Sequence, residues 1–299
     1  MNNELQSAKR KLEQNQMPSG GWSWFKGGLE NRYITQHIIT GFGHLNKLNV
    51  IQSDSEESMI KKAINYLDAE FIKEYNDIRK YDSKVVLKKD HLSYTQLHYL
   101  YMRSFYPEIK KSDKVEEVTK YYQAQIQKYW LKRSLYAKGL MALVADRIGD
   151  KKTSTKILKS LKENSITSDE LGMYWKTNTN SWYWYQAPIE TQALLIEAFA
   201  EIENDTETID NLKIWLLKNK QTNRWKTTKA TTEAVYALLL QGSDWLSVTD
   251  IVDVIIGGQQ IEPSKLEDVK VEAGTGYFKT SWSASEIKPE MAEVQITKK

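Results

Sequence analysis

The sequence predicts a mainly α protein: an α/α toroid of helical hairpins over residues 1–243, then a small β-sandwich-like module over 244–299. Three observations predict it. Ten stretches before Gly242 carry apolar residues at helical spacing. Those stretches alternate in character: one is polar on one side, the next apolar on most sides. An amphipathic helix belongs outside and an apolar one inside, so the alternation reads as a charged ring wrapped around an apolar inner circle. After Gly242 the apolar period shortens to two, the period of strands.

Along the chain, residues 4–15 form the first outer helix, with Leu5, Ala8 and Leu12 on one face. The inner helix 33–48 repeats Ile34, His37, Ile38, Phe42 and Leu45. Ser55-Glu56-Glu57-Ser58 reads as a capped start of the outer helix 55–75, with acids where the helix dipole favours them. Inner helices follow at 93–105, 134–148, 188–203 and 229–241, and outer ones at 113–129, 152–163 and 207–219. Pro107 and Gly149 punctuate them. A weak repeat runs through the set: Thr35-Gln36, Thr95-Gln96, Thr191-Gln192 and Thr232-Glu233 open four of the five inner helices, at uneven spacing. In the C-terminal module Val252, Val254 and Ile256 alternate, Gly257-Gly258 reads as a hairpin turn, and Val269, Val271, Tyr277, Phe278, Trp282, Val294 and Ile296 continue the pattern. About four or five short strands are expected, ending near Pro263 and Pro289.

Composition excludes several classes. The formal charge is only +3, with 42 Lys+Arg against 39 Asp+Glu, unlike a dedicated nucleic-acid binder. With no cysteine there is no disulfide, thiolate metal site, cysteine nucleophile or cysteine-derived thioester in these residues. No apolar run is long enough to span a membrane. No phosphate-binding loop, dinucleotide fingerprint or serine elbow occurs. The polar start Met1-Asn2-Asn3-Glu4 reads like a helix entered part-way, so a longer parent protein is expected, with a further helical pair ahead of residue 1.

Two blocks carry a family resemblance. Gln16-Met17-Pro18-Ser19-Gly20-Gly21-Trp22-Ser23-Trp24-Phe25-Lys26-Gly27-Gly28, followed by Arg32–Ile38, is similar to the bacterial α2-macroglobulin family, and so is Trp225–Leu240. Ile255-Ile256-Gly257-Gly258 with Gly274-Thr275-Gly276-Tyr277 fits the module that follows in that family. The resemblance implies an α/α-toroid of the thioester-domain type, flanked by β-sandwich macroglobulin-like domains. Thioester-bearing members carry Cys-Gly-Glu-Gln in the first toroid helices, a motif absent here. The large members that the chain resembles most lack it. The implied protein is non-catalytic, without metal or cofactor, on the periplasmic side or surface of a cell envelope. Its implied partners are the proteases it entraps or inhibits and the flanking domains of its own chain.

The residues themselves offer chemistry to weigh against that reading. His37/His44 and His91/His98 are each seven apart, two helical turns and about 10 Å by rise per residue, too far to share one metal. Glu30, Glu190 and Glu233 stand at or near inner-helix starts. They suit either a glycosidase or lyase acid–base pair or simple helix N-terminal acids. Trp22, Trp24, Trp175, Trp182, Trp184 and Trp225 cluster at one end of the expected ring. They form either aromatic subsites for a sugar or protein partner, or a plug that packs the mouth. The alternative function is therefore a carbohydrate-active α/α-barrel enzyme with an aromatic-lined cleft. Two carboxylates facing one open cleft favour it; a mouth filled by tryptophan does not.

Overall fold

The computed structural model describes residues 2–50, 54–78, 80, 87–180, 187–220, 225–240, 252–261 and 280–298. The chain divides into two compact units, Met1–Leu240 and Gln241–Lys299.

In the first unit the described helices are α1 Asn2–Asn15, α2 Arg32–Lys47, α3 Asp54–Asp77, α4 Tyr94–Arg103, α5 Asp113–Tyr129, α6 Leu135–Arg147, α7 Lys151–Glu163, α8 Pro188–Ile202, α9 Thr206–Lys218 and α10 Thr228–Leu239. Local chemistry sets most starts. The side chains of Asn31, Ser93, Ser112, Ser134, Asp150 and Thr227 each accept a hydrogen bond from a first-turn amide. Pro188 opens α8 with its ring already at a helical φ. None of these helices is long and apolar enough to cross a membrane.

The inner helices pack in sequence: α2 on α4, α4 on α6, α6 on α8, and α8 on α10. The His44 and Tyr236 rings, stacked 3.7 Å apart and nearly parallel, join α10 back to α2. Residues from the starts of the inner helices meet at one end of this circle and residues from their ends meet at the other, so the five run parallel. The outer helices return antiparallel: α3 lies on α2, α4 and α5, α7 on α6 and α8, and α9 on α8. Between the layers lies the apolar core, including Ile39, Leu67, Phe71, Leu97, Leu140, Ile157, Leu195, Phe199, Leu212 and Leu216. Phe71 stacks on Tyr99 at 4.0 Å within it. At Gly20 the loop runs against α3: a Cβ there would stand 2.3 Å from the Lys62 carbonyl oxygen, and φ is +98°.

Two features depart from expectation. A hairpin of β1 Ile166–Ser168 and β2 Gly172–Tyr174 sits between α7 and α8, too short to show a period of two. The inner helices are not apolar all round: toward the axis they also carry polar side chains, among them Tyr33, His37, His98, Tyr136, Glu190 and Glu233.

In the second unit β3 Val252–Ile256, β4 Gln259–Ile261 and β5 Val294–Lys298 form an antiparallel sheet in the order β4-β3-β5. Gly257 and Gly258 have φ of 58° and 77°, the two positive values a tight two-residue hairpin needs. Val254 sits opposite Ile261 on one side and Ile296 on the other. Trp282 lies outside the strands, and Pro289 opens a single 3₁₀ turn to Ala292 rather than ending a strand. Both reflect a chain that turns before β5. Val269, Val271, Tyr277, Phe278, Pro263 and the Gly274–Tyr277 block lie outside the described residues.

Candidate functional site

The axis of the ring is built by helical spacing. Tyr33, His37, Thr40 and His44 recur at i, i+4, i+7 and i+11 on α2, as do Glu190, Leu194, Glu197 and Glu201 on α8. His98 and Tyr101 on α4, Tyr136 and Arg147 on α6, and Lys229, Glu233 and Tyr236 on α10 complete the stripes. They stack in two layers.

The layer near the helix starts surrounds a cavity of about 20 Å³, lined by all five inner helices through Tyr33, His37, His98, Tyr136, Glu190 and Glu233, among others. That holds about one water molecule. Burial, helped by His37 and Lys229, pushes the His98 pKa down to about 3, so the ring is neutral. Its hydrogen bonds agree on the tautomer. The Gln36 amide donates to Nδ1 at 3.2 Å, so Nε2 carries the proton and faces the Thr40 hydroxyl at 3.3 Å. That hydroxyl donates onward to the Gln36 carbonyl at 2.7 Å. Burial likewise lowers His37, with Lys229 adding to it. Glu233 goes the other way: burial raises it to about 7 against the pull of Lys229, with Glu197 and Glu190 adding repulsion.

The layer near the helix ends centres on Glu197, 1% exposed. Arg147 Nη2 donates to its Oε1 at 2.6 Å, Tyr236 to the same oxygen at 3.0 Å, and Tyr101 to Oε2 at 2.5 Å. Lys47 stands 3.7 Å away. Because the Tyr101 hydroxyl gives its proton to Glu197, it accepts from His44 Nε2 at 2.9 Å. Glu201 pairs with Arg147 at 2.8 Å and also with Lys47. Arg147 in turn lies over the Phe105 ring at 4.2 Å. Burial alone would raise the Glu197 pKa, but Arg147, His44 and Lys47 together hold it below the ordinary carboxylate value. Burial pulls His44 down to about 4 and Lys47 to about 8. One carboxylate thus gathers side chains from every inner helix, and its lone pairs are spent on them.

The expected site residues divide clearly. Glu190 and Glu233 share the small axial cavity; Glu30 does not reach it. Glu30 is half-buried in the loop before α2, where a backbone amide and the Ser19 hydroxyl lower its pKa. Three tryptophans are buried and do the same job. The indole N–H groups of Trp22, Trp175 and Trp225 donate to the carbonyls of Leu12, Leu161 and Leu216, at 2.9, 2.8 and 3.3 Å. Each acceptor lies in the last turn of an outer helix (α1, α7 and α9), where carbonyls lack helical partners. Trp24 is exposed. Trp182 and Trp184 lie outside the described residues. His91 is not on a helix with His98: it precedes the Ser93 cap of α4. Among the described residues no group of three or more His, Asp or Glu side chains is placed to hold a metal.

Sequence reasoning missed Arg147, Glu197, Lys47 and Tyr236. Their signal was the recurrence of polar residues seven apart inside apolar helices, visible in Glu190/Glu197 and Lys229/Tyr236.

Chemically, the axial cavity is far below the roughly 300–1,000 Å³ of a ligand pocket. A cavity of about 530 Å³ does open beside α6 and α8, with Arg133, Lys138, Trp175, Lys176, Asn178 and Thr191 in its wall, but no described carboxylate lines it. A groove of about 930 Å³ brings Glu57 and Glu108 alongside Lys61 and Lys110, with no described tryptophan. The paired carboxylates and the tryptophan-walled space are therefore in different places. No family model matches the chain, and no curated protein matches it either.

Proposed function

We propose that this chain is the toroid portion of a bacterial α2-macroglobulin-like protein of the cell envelope, a non-catalytic body that takes part in entrapping or inhibiting proteases. The observation that carries the reading is the axis. Five parallel inner helices converge on the buried Glu197, which leaves no room for a substrate between them. Such a ring moves as one piece when neighbouring segments are cut or released. The two sequence blocks behind the family resemblance occupy equivalent places. Each contains a tryptophan clamp, Trp22 or Trp225, leading into an inner helix that feeds the axis. The glycosidase alternative loses support because Glu190 and Glu233 face a one-water cavity rather than an open aromatic cleft.

The test uses the full-length protein that contains this chain. Incubated with a panel of endoproteases, it is expected to block cleavage of a large protein substrate while leaving a small peptide substrate accessible, the signature of entrapment. Unchanged cleavage of both substrates across the panel rejects the reading. Turnover of a polysaccharide that disappears in Glu233→Gln would install the enzymatic alternative in its place.

A further inference from the structure

Because the inner helices run parallel, every connector from an outer helix into the next inner helix lies at the same end of the ring. The first of these connectors is a stiff loop. Ser23 and Glu30 pair as an isolated antiparallel bridge. The Gly28 amide and the Ser23 hydroxyl both donate to the Phe25 carbonyl, at 2.9 and 2.6 Å. This frame holds Trp24, Phe25 and Leu29 at 55%, 76% and 86% exposure, with Trp24 stacked on Tyr33. In the connector before α6, a 3₁₀ turn from Trp130 to Lys132 presents Leu131 at 63% exposure. Single exposed apolar side chains are ordinary; four large ones on one end, three of them held out by a hydrogen-bonded loop, mark a contact surface.

The same connectors are basic. Lys26, Lys88, Lys89, Lys132, Lys176 and Lys226 are all exposed there. Of the described acids on these connectors, Glu30 is half-buried and Asp90 is bound by Arg133, which leaves Asp169 and Glu170 at the tip of the β1–β2 hairpin. The connectors at the opposite end reverse the balance, with Lys110 and Lys111 against Glu108, Asp150, Glu203 and Asp205.

We propose that the end of the ring where the inner helices begin docks on an anionic lipid bilayer. Trp24, Phe25, Leu29 and Leu131 enter the headgroup region, and the lysines meet the anionic headgroups. The apolar groups project as tips rather than line a groove, which suits a deformable interface better than a protein surface. Tryptophan, phenylalanine and leucine set among long lysine stems is the composition that the membrane–water boundary favours. Single-stranded nucleic acid, the competing polyanion, asks instead for a basic groove with aromatic platforms along it. The proposal stands apart from the protease reading, since neither needs the other.

The full chain is sedimented with vesicles of phosphatidylcholine alone and with vesicles containing about one-third phosphatidylglycerol. Binding is expected only to the anionic vesicles. The double variant Phe25→Ser/Leu29→Ser should weaken it by at least about tenfold. Lys88→Gln/Lys89→Gln should weaken it by about tenfold or more at low salt and by little at high salt. All four positions are exposed, so both variants should melt with the parent protein, and circular dichroism checks that. Failure to sediment with anionic vesicles overturns the proposal. So does sedimentation that is unaltered by the Phe25/Leu29 variant. Equal or tighter retention on single-stranded DNA than on anionic vesicles would make the surface a general polyanion binder, which also overturns it.

Discussion

Replacing Glu197 by glutamine tests the ring at its most connected point. The substitution keeps the shape of the side chain and one acceptor oxygen. It removes the charge that neutralises Arg147 at 2.6 Å and Lys47 at 3.7 Å, in a place almost closed to solvent. Taking one member from a buried ion pair costs about 3–5 kcal/mol, because the remaining charge stays desolvated without its partner. Glu201 still pairs with Arg147 at 2.8 Å, which places the expected loss near the lower bound, ~3 kcal/mol. One of the three donors now at the carboxylate would also face an amide N–H₂ that cannot accept. For a helical unit of this size, ~3 kcal/mol corresponds to roughly 6–12 °C in melting temperature. Urea unfolding followed by near-ultraviolet circular dichroism, which reports the packed aromatic residues, gives the value directly. A change within about 0.5 kcal/mol of zero, the scale of surface substitutions, would refute the argument that Glu197 holds the inner helices together. A second variant, Glu197→Gln/Arg147→Met, separates the charge effect from packing: it should recover part of the loss if the stranded guanidinium is its main source.

Three further outcomes are expected. The axis gives stability a defined pH dependence. His37, His44 and His98 have folded pKa values below their unfolded ones and Glu233 has one above, so between about pH 4.5 and 6.5 the unfolded state binds at least about one proton more than the folded state. Stability should therefore fall by at least about 1.4 kcal/mol per unit of acidification in that window, and by about 1.4 kcal/mol more per unit in Glu233→Gln. Above pH 7 the same variant should gain up to ~3 kcal/mol, less what partial exposure screens; a parallel pH–stability curve would contradict this. Trp175→Phe should cost ~1–3 kcal/mol by stranding the buried Leu161 carbonyl, read by urea titration against a surface control such as Leu171→Ser. Gly20→Ala should cost ~2 kcal/mol or more, because the added methyl meets the Lys62 carbonyl and φ is positive there; a neutral result would mean the loop has another way to lie against α3.

The helices were legible because their signals are local. Apolar spacing marked each one, and Ser93, Ser134, Asp150 and Thr227 stand where a cap is needed. What lies on the axis was not legible, because a polar residue inside an apolar helix gives no hint of which distant side chain satisfies it. Glu197 meets Tyr101 and Arg147 across 96 and 50 residues of sequence. The spacing of His37 and His44 did reveal a shared face, but not that it points to the centre. Trp22, Trp175 and Trp225 stand out in the sequence as aromatic residues ahead of inner helices; that each donates to a helix-end carbonyl needs the third dimension. His91 shows the converse error: a seven-residue spacing counted across a cap carries no helical meaning.

The indole clamps bear on how the ring comes to exist. Each joins groups only nine to fourteen residues apart, so a hairpin acquires its own fastening early, before distant parts of the chain have met. The polar stripe, by contrast, is content in water until the last hairpin arrives. The contacts of Glu197 with Tyr101, Arg147 and Tyr236 span 96, 50 and 39 residues, so the axis closes only when α4, α6, α8 and α10 are all in place.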